Sequence, residues 1–277
     1  MPSDSHVHTE WSWDAARGSM DRTCAQAVRL GLPSVAFTEH VDLLPWTVSS
    51  GAELPARLQP HVDGDVFTPP PFDVDGYLAC LDRCRQRYPS LRIYSGVELG
   101  EPHWHAGAVR DLLSGGRFER LLASVHSTRT GTGGVATEVG AGYDDRPPDQ
   151  VVRDYLREVV RLVTGFEDFQ VLAHIDYPVR SWPADAGPFD PLAFEDELRD
   201  ALGALAAAEK VLEVNTRVPL HPLVLDWWHR AGGEAITFGS DAHDPAALAA
   251  GFGEAVAVAR AAGFRPGSDP LGFWCRA

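Results

Sequence analysis

Short runs of consecutive apolar residues alternate with longer segments of helical period along most of the chain. The apolar runs fall at about 3–8, 34–38, 92–98, 120–126, 170–174, 210–215 and 235–240, as in Val171-Leu172-Ala173 and Val211-Leu212-Glu213-Val214. They lack the strict apolar–polar alternation of a half-exposed strand, so they fit strands buried on both faces, as in a parallel sheet. Helix-period segments occupy 20–31, 75–88, 105–116, 149–165, 194–208, 222–232 and 245–262. Gly31 after the first and Gly232-Gly233 after the sixth are stop signals. Seven strand–helix alternations predict an α/β fold, a distorted (β/α)7 TIM-like barrel in a single domain. A doubly wound open sheet is the competing arrangement, but it would gather its ligands at one switch point.

The strand ends carry the chemistry. In order they hold His6-Val7-His8, Glu39-His40, Glu98, His126, His174, Asn215 and Asp241-Ala242-His243, and all but the Asn215 set offer a His or carboxylate able to bind a divalent ion. One His beside one strand is usually a hydrogen-bonded structural residue. Repetition changes that reading, because parallel β/α barrels place their chemistry on the loops after the strand C-termini. His6 and His8 alternate on an extended strand and point to the same side. Glu98 ends the apolar run Ile93-Tyr94-Ser95-Gly96-Val97, where a buried carboxylate must be paired or metal-bound. Asp14 follows closely enough to reach back over the site, although it also suits a turn. Imidazole and carboxylate without thiolate admit zinc, manganese or ferrous iron.

Composition narrows the partners. At 277 residues with no Ser/Gly-rich or charge-dense linker, one domain is expected. The net charge of -15, from 39 acidic and 24 basic residues, argues against nucleic acid or an anionic membrane as partner. Cys24, Cys80, Cys84 and Cys275 have no Cys-x-x-Cys spacing; Cys80 and Cys84, one turn apart on an expected helix, read as packed thiols and not a zinc clip, and a reducing compartment is expected. No leader-like or membrane-length apolar segment is present, so a cytoplasmic location is expected. The connections 41–74 and 127–148 are rich in Pro, Gly and Asp, lack periodicity, and are expected to overhang the site as lids or disordered loops. Gly131-Thr132-Gly133-Gly134 lacks the ending of a phosphate-binding P-loop and reads as a flexible loop.

Taken together, the motifs resemble the polymerase and histidinol phosphatase (PHP) superfamily: His-x-His-Thr at 6–9 with Asp14, Thr38-Glu39-His40, Gly-Val-Glu at 96–98, Ser-Val-His-Ser at 124–127, Ala-His at 173–174 and Ser-Asp-Ala-His at 240–243. The resemblance spans nearly the whole chain and implies a distorted (β/α)7 barrel with two to three divalent transition-metal ions. It implies that His6, His8, Glu98 and Asp241 hold one ion and that Glu98 bridges to a second held by His126 and His174. Asp14, His40 and His243 would hold the third; some relatives have His where this chain has Asp14, and either can ligate.

Such a cluster can activate a water, clamp phosphoryl oxygens and stabilise a leaving oxygen, so hydrolysis of a small-molecule phosphate ester is the expected reaction. Asp241 and His243 are also candidates to move a proton to the leaving alkoxide. Arg180, Arg217 and Arg129 follow strand ends and are candidate phosphate ligands, with Arg180 the first choice. His103 is the candidate for the substrate shell among the remaining histidines; His61, His221 and His229 read as loop or cap residues. The chain length, the Glu39-His40 pair and the long loop after His40 look most like the histidinol-phosphatase branch. That likeness implies hydrolysis of L-histidinol phosphate to L-histidinol and phosphate in histidine biosynthesis, with acidic loop residues such as Asp42, Asp63, Asp65 and Glu101 suiting a cationic leaving group. The alternatives are another small phosphate monoester or diester, such as a nucleotide, and a non-catalytic metal-binding module.

Overall fold

The computed structural model describes residues 1–48, 56–129, 135–269 and 271–277. The strands are β1 (Asp4–Val7), β2 (Ser34–Val41), β3 (Trp46–Thr47), β4 (Val62–Asp63), β5 (Val66–Phe67), β6 (Arg92–Gly100), β7 (Arg120–Ser124), β8 (Ser127–Thr128), β9 (Ala136–Glu138), β10 (Val171–Leu172), β11 (Val211–Asn215), β12 (Ala235–Gly239), β13 (Phe264–Pro266) and β14 (Trp274–Arg276). The helices are α1 (Met20–Leu30), α2 (Val74–Arg87), α3 (Ala106–Leu113), α4 (Pro148–Gly165), α5 (Glu195–Ala207), α6 (Pro222–Arg230) and α7 (Phe252–Ala261).

Nine strands form one curled sheet in the order β1-β2-β6-β7-β10-β11-β12-β14-β13. From β1 to β12 every neighbouring pair is parallel, as the continuous apolar runs require. Curling brings the first strand back beside β12: Val7 bridges Ala242 in parallel, the His8 N–H donates to the Ala242 carbonyl at 3.0 Å, and the Asp241 N–H donates to the His6 carbonyl at 2.8 Å. The ends of β1 and β12 therefore face each other, although they lie at opposite ends of the sequence.

Local signals set the helices well. Ser19 caps α1 by accepting from the Arg22 N–H, and Gly31 closes it at φ 68, the left-handed conformation glycine takes without strain. The segment expected as one helix over 245–262 instead splits into a 3-10 turn at Pro245–Ala247 and α7, because Ala249 and Gly251 take positive φ between them. The strand expected over 170–174 shortens to Val171–Leu172, since His174 leaves the ladder at φ 22.

The two long connections are not merely lids. Pieces of both pair into a second, five-stranded sheet, β4-β5-β3-β9-β8, with Trp46 opposite Ala136 across the two connections. Strands of two or three residues are too short to show a period, and their pairing is non-local, so the sequence pattern did not reveal them. The terminal β13–β14 hairpin escaped for the same reason. Gly131 to Gly134 lie outside the described residues. Cys80 and Cys84 are free and buried, in keeping with packed thiols; Cys24 is also free and buried, and Cys275 is free and exposed. Among the described residues no helix is long and apolar enough to cross a membrane.

One buried side chain ties helix to sheet beneath the site. The Tyr77 hydroxyl on α2 donates to the Phe37 carbonyl at 2.8 Å and accepts from the Gly96 N–H at 2.8 Å, spanning β2 and β6. Tyr77→Phe leaves both backbone groups without that partner, and urea unfolding should show a loss of about 1–3 kcal/mol.

Candidate metal centre

The curl of the sheet converges the strand-end residues on one carboxylate. Glu98, near the end of β6, places Oε1 2.7 Å from His174 Nε2 and 3.2 Å from His126 Nε2. Its Oε2 lies 3.2 Å from His6 Nε2, 3.3 Å from His8 Nε2 and 3.1 Å from His40 Nδ1. Asp241, just after β12, sets Oδ1 3.4 Å from His8 Nε2 and 3.9 Å from His6 Nε2. Asp14 Oδ2 lies 2.8 Å from His243 Nε2 and 3.4 Å from His40 Nε2. Every residue expected to ligate is thus in one cluster.

The donor chemistry fits cations. Ser12 Oγ donates to Glu39 Oε2 at 2.6 Å, so it accepts from His8 Nδ1 at 2.9 Å and leaves His8 Nε2 with a bare lone pair. Glu213 Oε1 accepts from His6 Nδ1 at 2.7 Å and turns His6 Nε2 toward the same point. The two Nε2 atoms lie only 2.9 Å apart, an approach that needs a proton or a cation beside them. Among the described residues, Glu98 Oε2, Asp14 Oδ1 and His174 Nδ1 are buried atoms without a hydrogen-bond partner. Ligand atoms lie close enough to share an ion in the sets His6/His8/Asp241, Glu98/His126/His174 and His8/His40/His243. The second set has the residues the sequence reading gave to the second ion, and the first has three of the four given to the first ion, without Glu98; in the third, His8 joins His40 and His243, with Asp14 in contact with both of the latter. A further set, His40/Asp42/His126, was not anticipated.

The charges of the side chains alone reinforce this. Burial would raise Glu98, but His6, His126 and His40 hold its carboxyl well below the usual range. Burial likewise opposes ionisation of Asp241, which Arg180 and His6 nevertheless keep well below its ordinary value. His6 moves the other way: against the burial that would lower it, Glu213, Glu98 and Asp241 lift it well above its ordinary value. His8 is pushed down to about 4 by burial and by the neighbouring His40 and His243 rings. His174 falls to about 4 through burial and Arg180.

A cavity of about 580 Å3 opens over the cluster. Arg180 lines it, with Nη2 2.5 Å from Asp241 Oδ2 and its guanidinium 4.8 Å from the Tyr177 ring centre. Arg217 lines it too, with Nη1 3.3 Å from His243 Nδ1. Trp13, Trp46, Val48 and Phe67 line it as an apolar surface, with Trp46 and Phe67 coming from the small sheet, and Glu138 lines it with Oε1 accepting from the Tyr177 hydroxyl at 3.4 Å.

Two expected substrate contacts are placed elsewhere. His103 Nε2 pairs with Glu158 at 2.6 Å, and the exposed Arg129 stacks its guanidinium 4.1 Å from the Trp104 ring centre. A buried carboxylate and an aromatic face are stronger local partners than a solvent-filled cavity. The acidic loop residues also divide. Asp42 is buried, with Oδ2 accepting from Trp13 Nε1 at 2.8 Å and Oδ1 3.5 Å from His126 Nδ1. Glu101 accepts from the His126 and Ser127 N–H groups, and burial pushes it up to about 7. Asp63 and Asp65 are exposed.

Glu213, fully buried on β11, was missed, although a lone carboxylate inside Val211-Leu212-Glu213-Val214 is open to the same burial argument as Glu98. The apolar lining was missed because Trp46, Val48 and Phe67 come from a connection read as irregular and Trp13 from the short segment between β1 and α1.

Comparison with known proteins decides the lineage. The model of the PHP domain family matches residues 4–217. The chain belongs to the PHP domain family. Asp241 and His243 of this PHP domain lie beyond the matched segment, and β12 carries them into the cluster. Its relatives include the histidinol-phosphatase of Lactococcus lactis subsp. lactis (strain IL1403), 24% identical, with 87% of this chain and 83% of the relative covered. A Thermotoga maritima protein named as a probable histidinol-phosphatase is also 24% identical, with 91% and 88% covered. In fold, the PHP domain is similar to the crystal structure of histidinol phosphate phosphatase from Lactococcus lactis complexed with Zn, L-histidinol and phosphate. That likeness has a TM-score of 0.78 at 22% identity and covers 98% of each chain.

Proposed function

We propose that this PHP domain is a metal-dependent phosphomonoesterase that hydrolyses L-histidinol phosphate to L-histidinol and phosphate. The observation that carries the reading is Glu98 surrounded by His6, His8, His40, His126 and His174 beneath a cavity lined by Arg180 and Arg217 and by Trp13, Trp46 and Phe67. The relatives named as histidinol-phosphatases support the substrate. In this reading, residues 1–277 form one catalytic domain, and the seven parallel strands are a distorted (β/α)7 barrel closed at Val7 and Ala242.

His6, His8, Asp14, His40, Glu98, His126, His174, Asp241 and His243 would hold two to three zinc, manganese or iron ions. When bound, such ions supply Lewis acidity toward phosphoryl oxygens and lower the pKa of a water nucleophile. Arg180 and Arg217 bind and orient the phosphate through charge-assisted hydrogen bonds. His243, beside them, is the group that can hold the proton taken up by the leaving alkoxide, whereas Asp241, expected to share that role, is held ionised by Arg180 and His6 and only accepts. Trp13, Trp46 and Phe67 offer flat faces to an imidazole, and Glu138 offers a charge to its amine. This wall replaces the exposed acidic loops as the reader of the leaving group.

A panel of phosphate esters tests the reading. The kcat/KM for L-histidinol phosphate should exceed that for nucleoside monophosphates and diesters, since a mismatched substrate leaves binding groups unpaired. Equal or faster hydrolysis of a nucleotide would reassign the substrate while keeping the metal centre. Elemental analysis should find two to three transition ions per chain, and chelation should abolish turnover. Less than one ion after supplementation, with activity indifferent to chelators, would sink the metal-dependent reading.

A further inference from the structure

We propose that Glu213 is a positioning residue that couples two metal positions, and that Gly239 lacks a side chain to make room for it. The inference rests on the metal centre of the proposed function and not on its substrate.

Glu213 is fully buried in β11, a costly place for a charge unless each oxygen is used. Both are. Oε1 accepts from His6 Nδ1 at 2.7 Å, while Oε2 accepts from the His174 backbone N–H at 2.8 Å and from Asn215 Nδ2 at 3.1 Å. An ionised carboxylate only accepts, so the His6 proton stays on Nδ1 and Nε2 is turned toward Glu98, His8 and Asp241. His174 belongs to the other ligand set, and its backbone sits at φ 22, where residues with a side chain are strained. The Glu213 bond clamps this backbone, while the Tyr155 hydroxyl donates to the His174 carbonyl at 2.9 Å. The clamped residue then presents Nε2 2.7 Å from Glu98 Oε1. One carboxylate therefore orients a ring in the first set and the backbone of a ligand in the second.

Gly239 on β12 stands against this pair. A Cβ there would lie 2.0 Å from Glu213 Oε1 and 2.6 Å from the His6 Cβ, closer than packed atoms allow. Its φ is not positive, so what matters at this position is space and not backbone freedom.

Glu213→Gln is the isosteric test, because an amide has one accepting oxygen and one donating nitrogen and cannot accept from both His6 and His174. Zn2+ binding, measured by competition with a chromophoric chelator, should weaken roughly 10–100-fold at two equivalents, the scale of losing a partner behind a metal ligand. Circular dichroism should be unchanged, and Gly239→Ala should reproduce the Zn2+ defect. Nitrogen-15 NMR of the Zn2+-loaded wild type should show a proton on His6 Nδ1 and metal on Nε2, a result that needs no variant to fold. Wild-type Zn2+ affinity in Glu213→Gln, loss confined to one equivalent, or metal on His6 Nδ1 would each overturn the proposal. A wild-type protein that takes up no Zn2+ would instead count against the metal centre itself.

Discussion

Glu98→Ala is expected to lose most of its bound metal and to turn over at least about a thousandfold more slowly, a barrier increase of about 4 kcal/mol at ~1.4 kcal/mol per tenfold. Both Glu98 oxygens face imidazoles, Oε1 toward His126 and His174 and Oε2 toward His6, His8 and His40. Removing it takes away the charge that draws these rings together and leaves basic groups facing one another across a cavity. Alanine is small enough to fit, so the effect should reside in the site; elemental analysis beside circular dichroism separates metal loss from unfolding. Full metal content with a wild-type rate would remove Glu98 from the bridging role.

Arg180→Ala should fail differently. Its Nη2 is held 2.5 Å from Asp241 Oδ2 and its side chain is only 17% exposed, so the guanidinium is ordered before any phosphate arrives. A preordered cation loses little entropy on binding. Inorganic phosphate should therefore bind about 1.5–3 kcal/mol more weakly to the variant, the scale of a charged hydrogen bond, while the metal content stays at the wild-type level. Competitive inhibition by phosphate, read beside elemental analysis, checks both halves. Arg217, 48% exposed and looser on Asp241 at 3.6 Å, should give a smaller loss. Unchanged phosphate inhibition in Arg180→Ala would assign its charge to holding Asp241 alone.

The contrast between Arg180 and Arg129 shows what a strand-end position can and cannot convey. Both follow a ligand-bearing strand, yet the first leans on Asp241 and the second on Trp104. Which partner an arginine finds depends on elements distant in sequence. His103 makes the same point, because Glu158 on α4 takes its ring.

The amino-acid order alone carries the alternation of buried strands and helices and the ligand at nearly every strand end. Both are local facts: an apolar run without alternation is buried on two faces, and an ionisable residue closing such a run must find a partner. Everything else came from the folded chain. It curled the sheet until Val7 met Ala242, which brought His6 and Asp241 to one centre, and it paired Trp46 with Ala136 to raise an aromatic wall from segments with no period of their own. It also turned Asp42 inward and set Glu213 behind His6 and His174. These contacts join residues far apart along the chain, and their geometry is fixed by the curl and register of the strands, which no local pattern of residues encodes.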